Sequence, residues 1–212
     1  MQVLSINVGH ERTIDKGGMI EPTGIYKFPA DGPIEVTPLG LVGDCVSDQK
    51  HHGGLDQAVY VYGGADYAWW SAKVGHTLIP GTFGDNLTIS DLETAPLQLG
   101  DRLHIGAVIL EVTAPRIPCA KLAVRMDDPQ FVKKFRAAVR PGAYCRVIET
   151  GTLAAGDTVT LERYSGPSVR IEEVFRAWYE PPTDAATLRQ MLAAPMAIRT
   201  RQRFERILEE LE

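Results

Sequence analysis

The chain has 212 residues, 44% hydrophobic and 23% charged, with a net charge of −5. That is a globular composition, long enough for one ordinary core plus a small appendage. No segment approaches the ~20 apolar residues of a membrane span, and the acidic balance argues against a general nucleic-acid role, because phosphate backbones are held by clustered cations.

In chain order, MQVLSINVG alternates Val3, Ile6 and Val8 with polar positions and reads as a first strand, with none of the basic and apolar blocks of an export signal. TGIYKFP places Lys27 on the opposite face from Tyr26 and Phe28, so its charge must meet water or an anion. GLVGDCVSDQKHHGGLDQAVYVY then crowds Gly43, Asp44, Asp48, His51, His52, Gly53, Gly54 and Asp56 into one loop before a strand, more polar and glycine residues than a connection needs. ADYAWWSAKVG carries Tyr67, Trp70 and Val74 at helical spacing. GTFGDNLTI, LQLGDRLHIG and AVILEVTAP follow as short strands, with Gly100-Asp101 and Gly156-Asp157 opening alternating runs through the same turn chemistry. DDPQFVKKFRAAVRPG reads as a second helix, bounded by an acidic cap with Pro129 and by Pro141-Gly142. After Ser165-Gly166-Pro167 three helical patterns follow, VRIEEVFRAWYE, TDAATLRQMLAA and PMAIRTRQRFERILEELE. The expectation is therefore a mainly β, barrel-like domain over residues 1–165 with packed helices, and a three-helix extension over residues 166–212. Within that extension RTRQR reads as a solvated helix face or as a docking patch.

PRIPCAKLAVR is the segment most suggestive of chemistry. Thiolate is the reactive and metal-binding form of cysteine, and Arg116 and Lys121 beside Cys119 favour it, while two prolines fix where the sulfur points. A small buried hydrophobe is the alternative reading for Cys119. Cys45 and Cys145 read as structural, and three cysteines with no CxxC pair suit a reducing cytoplasm better than a disulfide framework. The His-His-Gly-Gly run offers an anion site through backbone amides or a metal site through imidazole. His52 divides between a site role and a structural hydrogen bond, and His51 reads first as surface. Asn86 in GTFGDNLTI suits either a polar heterocycle or a turn.

Taken together, TGIYKFP, LGLVGDCVSDQKHHGGLDQAVYVY, PGTFGDNLTI, LGDRLHIG and PRIPCAKL resemble, in this order, the MOSC domain (the molybdenum cofactor sulfurase C-terminal domain), and specifically its stand-alone bacterial YiiM-like branch. EEVFRAWYEP and the two short helices after it are similar to the tail of that branch, so the resemblance spans nearly the whole chain. It implies a barrel-like fold that binds the molybdenum cofactor, a molybdopterin, with Cys119 as protein ligand of the metal. It places His52, Asp56, Asn86 and Arg116 on motif positions and Lys27 on an early strand, and extends the cofactor site to His51, Gly53, Lys121 and Arg125. The animal enzymes of the superfamily carry an arginine-bearing motif where this chain reads FGDNL, so the phosphate contact passes to Lys27 or Lys121.

The activity implied by the resemblance is reduction of N-hydroxylated compounds such as hydroxylaminopurines and amidoximes, with Cys119 and His52 in catalytic roles and His52 as proton relay. The chain has no haem, flavin or iron–sulfur signature of its own, so the expected partners are a small N-hydroxylated substrate and an external electron donor, a flavin or iron–sulfur reductase. No membrane or nucleic-acid partner is expected, and a homodimer is possible because symmetric pairs are the commonest oligomers. Two other readings stay open: sulfur transfer through a Cys119 persulfide, and a non-catalytic cofactor carrier.

Overall fold

The computed structural model describes residues 1–48 and 52–212, so His51 lies outside the described residues. The chain is built on one eight-stranded sheet in the order β13-β9-β10-β11-β7-β8-β1-β4. Its members are β1 (Val3–Val8), β4 (Phe28–Pro29), β7 (Val59–Gly63), β8 (Leu87–Ile89), β9 (Arg102–Ile105), β10 (Val108–Pro115), β11 (Ala143–Glu149) and β13 (Val159–Glu162). A second sheet joins β12 (Gly151–Leu153), β5 (Ile34–Thr37) and β6 (Gly40–Leu41), and β2 (Arg12–Asp15) and β3 (Ile20–Thr23) form a hairpin. Six α-helices lie among the described residues: α1 (Gly64–Val74), α2 (Ala120–Arg125), α3 (Phe131–Ala138), α4 (Ile171–Tyr179), α5 (Ala185–Leu192) and α6 (Ile198–Leu211).

The mainly β expectation holds, and the barrel needs correction. The large sheet is open, with β13 and β4 at its edges. Near its β13 edge it meets the start of the chain through an isolated bridge, Gln2 to Thr158, flanked by bonds from Val3 N–H to the Asp157 carbonyl at 2.9 Å, from Gly156 N–H to the Val3 carbonyl at 2.8 Å and from Val159 N–H to the Met1 carbonyl at 2.9 Å. No ladder closes it, because β1 gives its far end to β4 through Asn7 and Val8.

Period-two alternation sorts the two sides of the central strands. Val59, Val61 and Cys145 enter an aliphatic core, while Tyr60, Tyr62 and Tyr144 enter a separate aromatic cluster with Trp70, Phe83, Phe131 and Phe135. The parallel pair β7–β8 is linked by α1, which buries Tyr67 and Trp70 as its spacing predicts and ends at Gly75 in the left-handed conformation. The two Gly-Asp turns share one device: the Asp101 carboxylate accepts from Gln98 N–H at 3.0 Å and the Asp157 carboxylate from Ala154 N–H at 2.7 Å. β9 and β13, which follow these turns, then pair antiparallel with Leu103 opposite Leu161.

α4, α5 and α6 send Ile171, Val174, Leu188, Met191 and Phe204 into the same aliphatic core as the sheet. The arginines of RTRQR are half-buried and committed. Arg201 donates to the Leu192 and Ala194 carbonyls that end α5, and Arg203 donates to the Trp178 carbonyl at 3.0 Å. The solvated-face reading of this stretch is therefore corrected: its cations close backbone ends of neighbouring helices.

Candidate functional site

β10 ends at Pro115, and the extended residues that follow lead into α2, with Cys119 at the residue before the helix (φ −118°, ψ 171°). The turn therefore holds its sulfur as the prolines predict, half-buried at the junction of two connected compartments. The first, about 70 Å³ and called inner for the buried Lys27, Asn86, Arg116 and Tyr60 on its walls, is also lined by Cys45. The outer one, about 310 Å³, is lined among others by Lys16, Glu21, Ile117, Trp178 and Arg199. His52, Asp48, Gln57, Lys121 and Tyr144 border both, as does Cys119.

The inner compartment is organised around two buried cations. Lys27 lies on the face opposite exposed Phe28, as its alternation implies, and is buried; the anion its ammonium meets is the Asp44 carboxylate. Asp44 also accepts from Asn86 Nδ2 at 2.8 Å and from Gly9 N–H at 2.9 Å. Burial lowers the Lys27 pKa, and Asp44 opposes that shift. Arg116 is 5% exposed. One of its Nη groups donates to the Phe83 carbonyl, its guanidinium lies 5.1 Å from the Tyr60 ring centroid, and its buried Nε has no hydrogen-bond partner. No carboxylate forms an ion pair with Arg116 among the described residues.

His52 Nδ1 lies 3.2 Å from Tyr144 Oη. Burial raises the Tyr144 pKa, so that hydroxyl stays protonated at neutral pH. Lys121 reaches over the compartment rim to the Pro22 carbonyl at 2.8 Å and to Glu21 at 3.6 Å.

Lys27, His52, Asn86, Arg116, Cys119 and Lys121 thus come together around one cleft. Three other expected positions do not line it. Gly53 gives its carbonyl to Arg199 at 3.4 Å. Asp56 is a clamp: one carboxylate oxygen accepts from Ile198 N–H at 2.7 Å at the start of α6, and the other pairs with Arg146 at 3.0 Å. Arg125 stacks outside the cleft, 4.8 Å from the Tyr26 ring centroid.

Five contributors were not singled out from the sequence as site residues. Asp44 and Cys45 sit in the loop whose polar density marked it, and Cys45 Sγ lies 3.6 Å from Ser47 Oγ. Tyr144 was legible in the alternation of AYCRVI, which sends Cys145 to the core and its neighbour to the opposite face. Trp178 and Arg199 had no local signal, because the tail reaches the cleft only through tertiary packing.

Comparison with known proteins supports the family reading. Residues 48–160 match the family model described as MOSC domain. YiiM of Escherichia coli is 30% identical over 181 residues, covering 84% of this chain and 80% of that protein. A protein of Gibberella moniliformis named as a reductase is 31% identical over 182 residues, covering 82% of this chain and 32% of its own length. The crystal structure of YiiM from Geobacillus stearothermophilus aligns with a TM-score of 0.81 at 27% identity over 98% of both chains.

Proposed function

The chain belongs to the MOSC domain family, and from that premise we propose that it is a molybdenum-cofactor-dependent reductase of N-hydroxylated compounds, with Cys119 as the protein ligand of the metal. The observation that carries the reading is the pairing of a half-buried thiol with a buried guanidinium that lacks a carboxylate and has an unpartnered Nε. Asp85 favours the charged form of this guanidinium from beyond ion-pair distance, and a buried cation that still has an unpartnered N–H fits a site made for an anionic guest. A soft sulfur donor beside it fits a sulfur-ligated metal in a phosphate-bearing cofactor. The name of the Gibberella relative agrees with a reductive activity.

When bound, the cofactor supplies a metal able to pass two electrons. The chain's own residues do the rest. Cys119 presents its sulfur from a fixed turn, and Arg116 and Lys121 offset negative charge. Asp44 and Asn86 keep Lys27 oriented toward the inner compartment. His52 holds a proton in the cleft, with Tyr144 Oη at hydrogen-bond distance from Nδ1 as its exchange partner. In the net reaction R–NHOH, two protons and two electrons give R–NH2 and water. The electrons come from an external flavin or iron–sulfur reductase.

Elemental and pterin analysis of protein from a cofactor-competent host tests ligation: stoichiometric molybdenum is expected and is lost in Cys119→Ser. Loaded protein with an artificial reductant should then reduce hydroxylaminopurine or benzamidoxime, and failure to do so sinks the reductase reading. His52→Gln should slow reduction more than it lowers molybdenum content, whereas equal losses assign His52 to shaping the site. One observation favours a second reading: Cys45 brings another thiol to the inner compartment, which suits sulfur transfer. A cyanide-labile sulfur in molybdenum-free protein would establish it.

A further inference from the structure

Resting on the reductase reading, we propose that the outer compartment is the substrate chamber and that Trp178, supplied by the C-terminal helices, is the platform on which a flat, uncharged aromatic part of the substrate stacks. At about 310 Å³ the compartment is of a size that small-molecule sites use. Its walls combine Ile117, Pro118 and the Trp178 indole, and it ends at Cys119. Its two lysines share one carboxylate: Glu21 pairs with Lys16 at 2.8 Å and with Lys121 at 3.6 Å. The buried guanidinium without a carboxylate, Arg116, lines the inner compartment and not the outer one. The apolar walls of the outer compartment are what suit a flat, neutral ring.

Trp178 is built for this use. Val174, Phe175 and Ala177 of α4 are buried, whereas Trp178 is half-buried and borders the cavity. The Arg203 guanidinium lies 4.7 Å from its ring centroid, and the same side chain donates to the Trp178 carbonyl. An indole already fixed by packing gives a second ring a surface with little further ordering entropy. Another part of the lining is anchored to the same tail. Asp56 holds the first turn of α6, and Arg199 donates to Gln57 Oε1 at 2.9 Å and to the Gly53 carbonyl, on either side of the turn that follows His52. The tail and the His52 loop thus form one enclosure.

The test uses protein purified from a cofactor-competent host, titrated without reductant so that nothing turns over. Benzamidoxime, with its flat ring, and acetamidoxime, without one, are the probes, read by calorimetry and tryptophan fluorescence. Wild-type protein should bind benzamidoxime about tenfold more tightly than acetamidoxime, the scale of one aromatic stacking contact. Trp178→Leu should reduce that ratio to about twofold or less with the acetamidoxime affinity unchanged. Trp178→Phe should keep most of the ratio yet lose the fluorescence response, since Trp69 and Trp70 remain. An unchanged ratio in Trp178→Leu overturns the proposal, as does the absence of aryl preference in the wild type. A Leu variant with lower pterin content but an unchanged ratio also overturns it, because the indole then serves the cofactor. If Trp178→Leu does not fold, a fluorescence response that survives in Trp178→Phe is sufficient to overturn it. Binding of benzamidoxime through Trp178 without reduction by loaded protein would sink the reductase reading and leave the platform standing. Reduction of both probes with an equal KM ratio in wild type and Trp178→Leu would do the reverse.

Discussion

Arg140 and Arg116 both carry a guanidinium into the packed aromatic side of the molecule, and their surroundings differ in one respect. Arg140 donates at 2.6 Å to Asp66, a fully buried carboxylate that also accepts from the Thr94 amide and hydroxyl. Arg116 is the more deeply buried of the two and has a carbonyl, a tyrosine face and an unpartnered Nε instead. Lys27, across the inner compartment, follows the Arg140 pattern through Asp44. Of these three cations, Lys27 and Arg140 hold a carboxylate in direct contact, whereas Arg116 feels Asp85 only from beyond ion-pair distance and keeps a buried N–H that suits an anionic guest.

Substitutions that remove either matched carboxylate would sharpen this contrast. Asp44→Ala strands the Lys27 ammonium, 5% exposed, and also removes the acceptor of Asn86 Nδ2 and Gly9 N–H. It should cost about 4 kcal/mol of unfolding free energy in urea titrations. The double variant Asp44→Ala with Lys27→Met should recover at least half of that loss, since no charge is then left alone; failure to recover would mean the loss lies in the loop and not in the pair. Asp66→Ala should cost less, about 3 kcal/mol, because the Arg140 side chain is 22% exposed and can turn toward water.

Arg116 should behave oppositely. Arg116→Leu deletes a charge that no ion pair holds along with its bond to the Phe83 carbonyl, so stability should fall by only about 1–2 kcal/mol, less than in Asp66→Ala. Pterin and molybdenum content, measured on protein from the same host, should fall sharply. A destabilisation as large as that of Asp66→Ala, with cofactor content intact, would break the comparison and make Arg116 a packing residue.

Much of this arrangement was legible in the sequence where the signal is local. The helical spacing of Tyr67 and Trp70, the alternation that sets Lys27 opposite Phe28 and the stiff turn at Cys119 all depend on neighbours a few residues away. The identities of the partners were not. Lys27 finds Asp44 seventeen positions along the chain, and Arg199 reaches Gln57 across 142, distances at which periodicity carries no information. Asp56 shows the same limit in reverse: its place in a loop dense with glycine and histidine pointed to the site, whereas tertiary packing turned its carboxylate to the start of α6. Barrel closure also depends on long-range pairing, and short strands with frequent turns do not reveal that β1 divides its free edge between β4 and a single bridge to Thr158.

The smallest effect concerns Asp85, a fully buried carboxyl that accepts from Tyr67 Oη at 2.6 Å and Thr88 Oγ1 at 2.7 Å. Burial raises its pKa above the ordinary carboxylate range, and those hydrogen bonds oppose the shift without reversing it. The folded protein then binds this proton more tightly than the unfolded chain does. Stability contributed by Asp85 is consequently greatest in acid and falls as pH rises from the ordinary carboxylate pKa to the raised one, after which it is constant. Asp85→Asn cannot titrate. The stability gap between wild type and Asp85→Asn, followed by urea unfolding from neutral pH down into the carboxylate range, should therefore widen on acidification. A gap that narrows would mean that the four donors around Asp85, which include Asn7 Nδ2 and Gly81 N–H, outweigh its desolvation, and that this carboxylate belongs with the matched charges around Asp66.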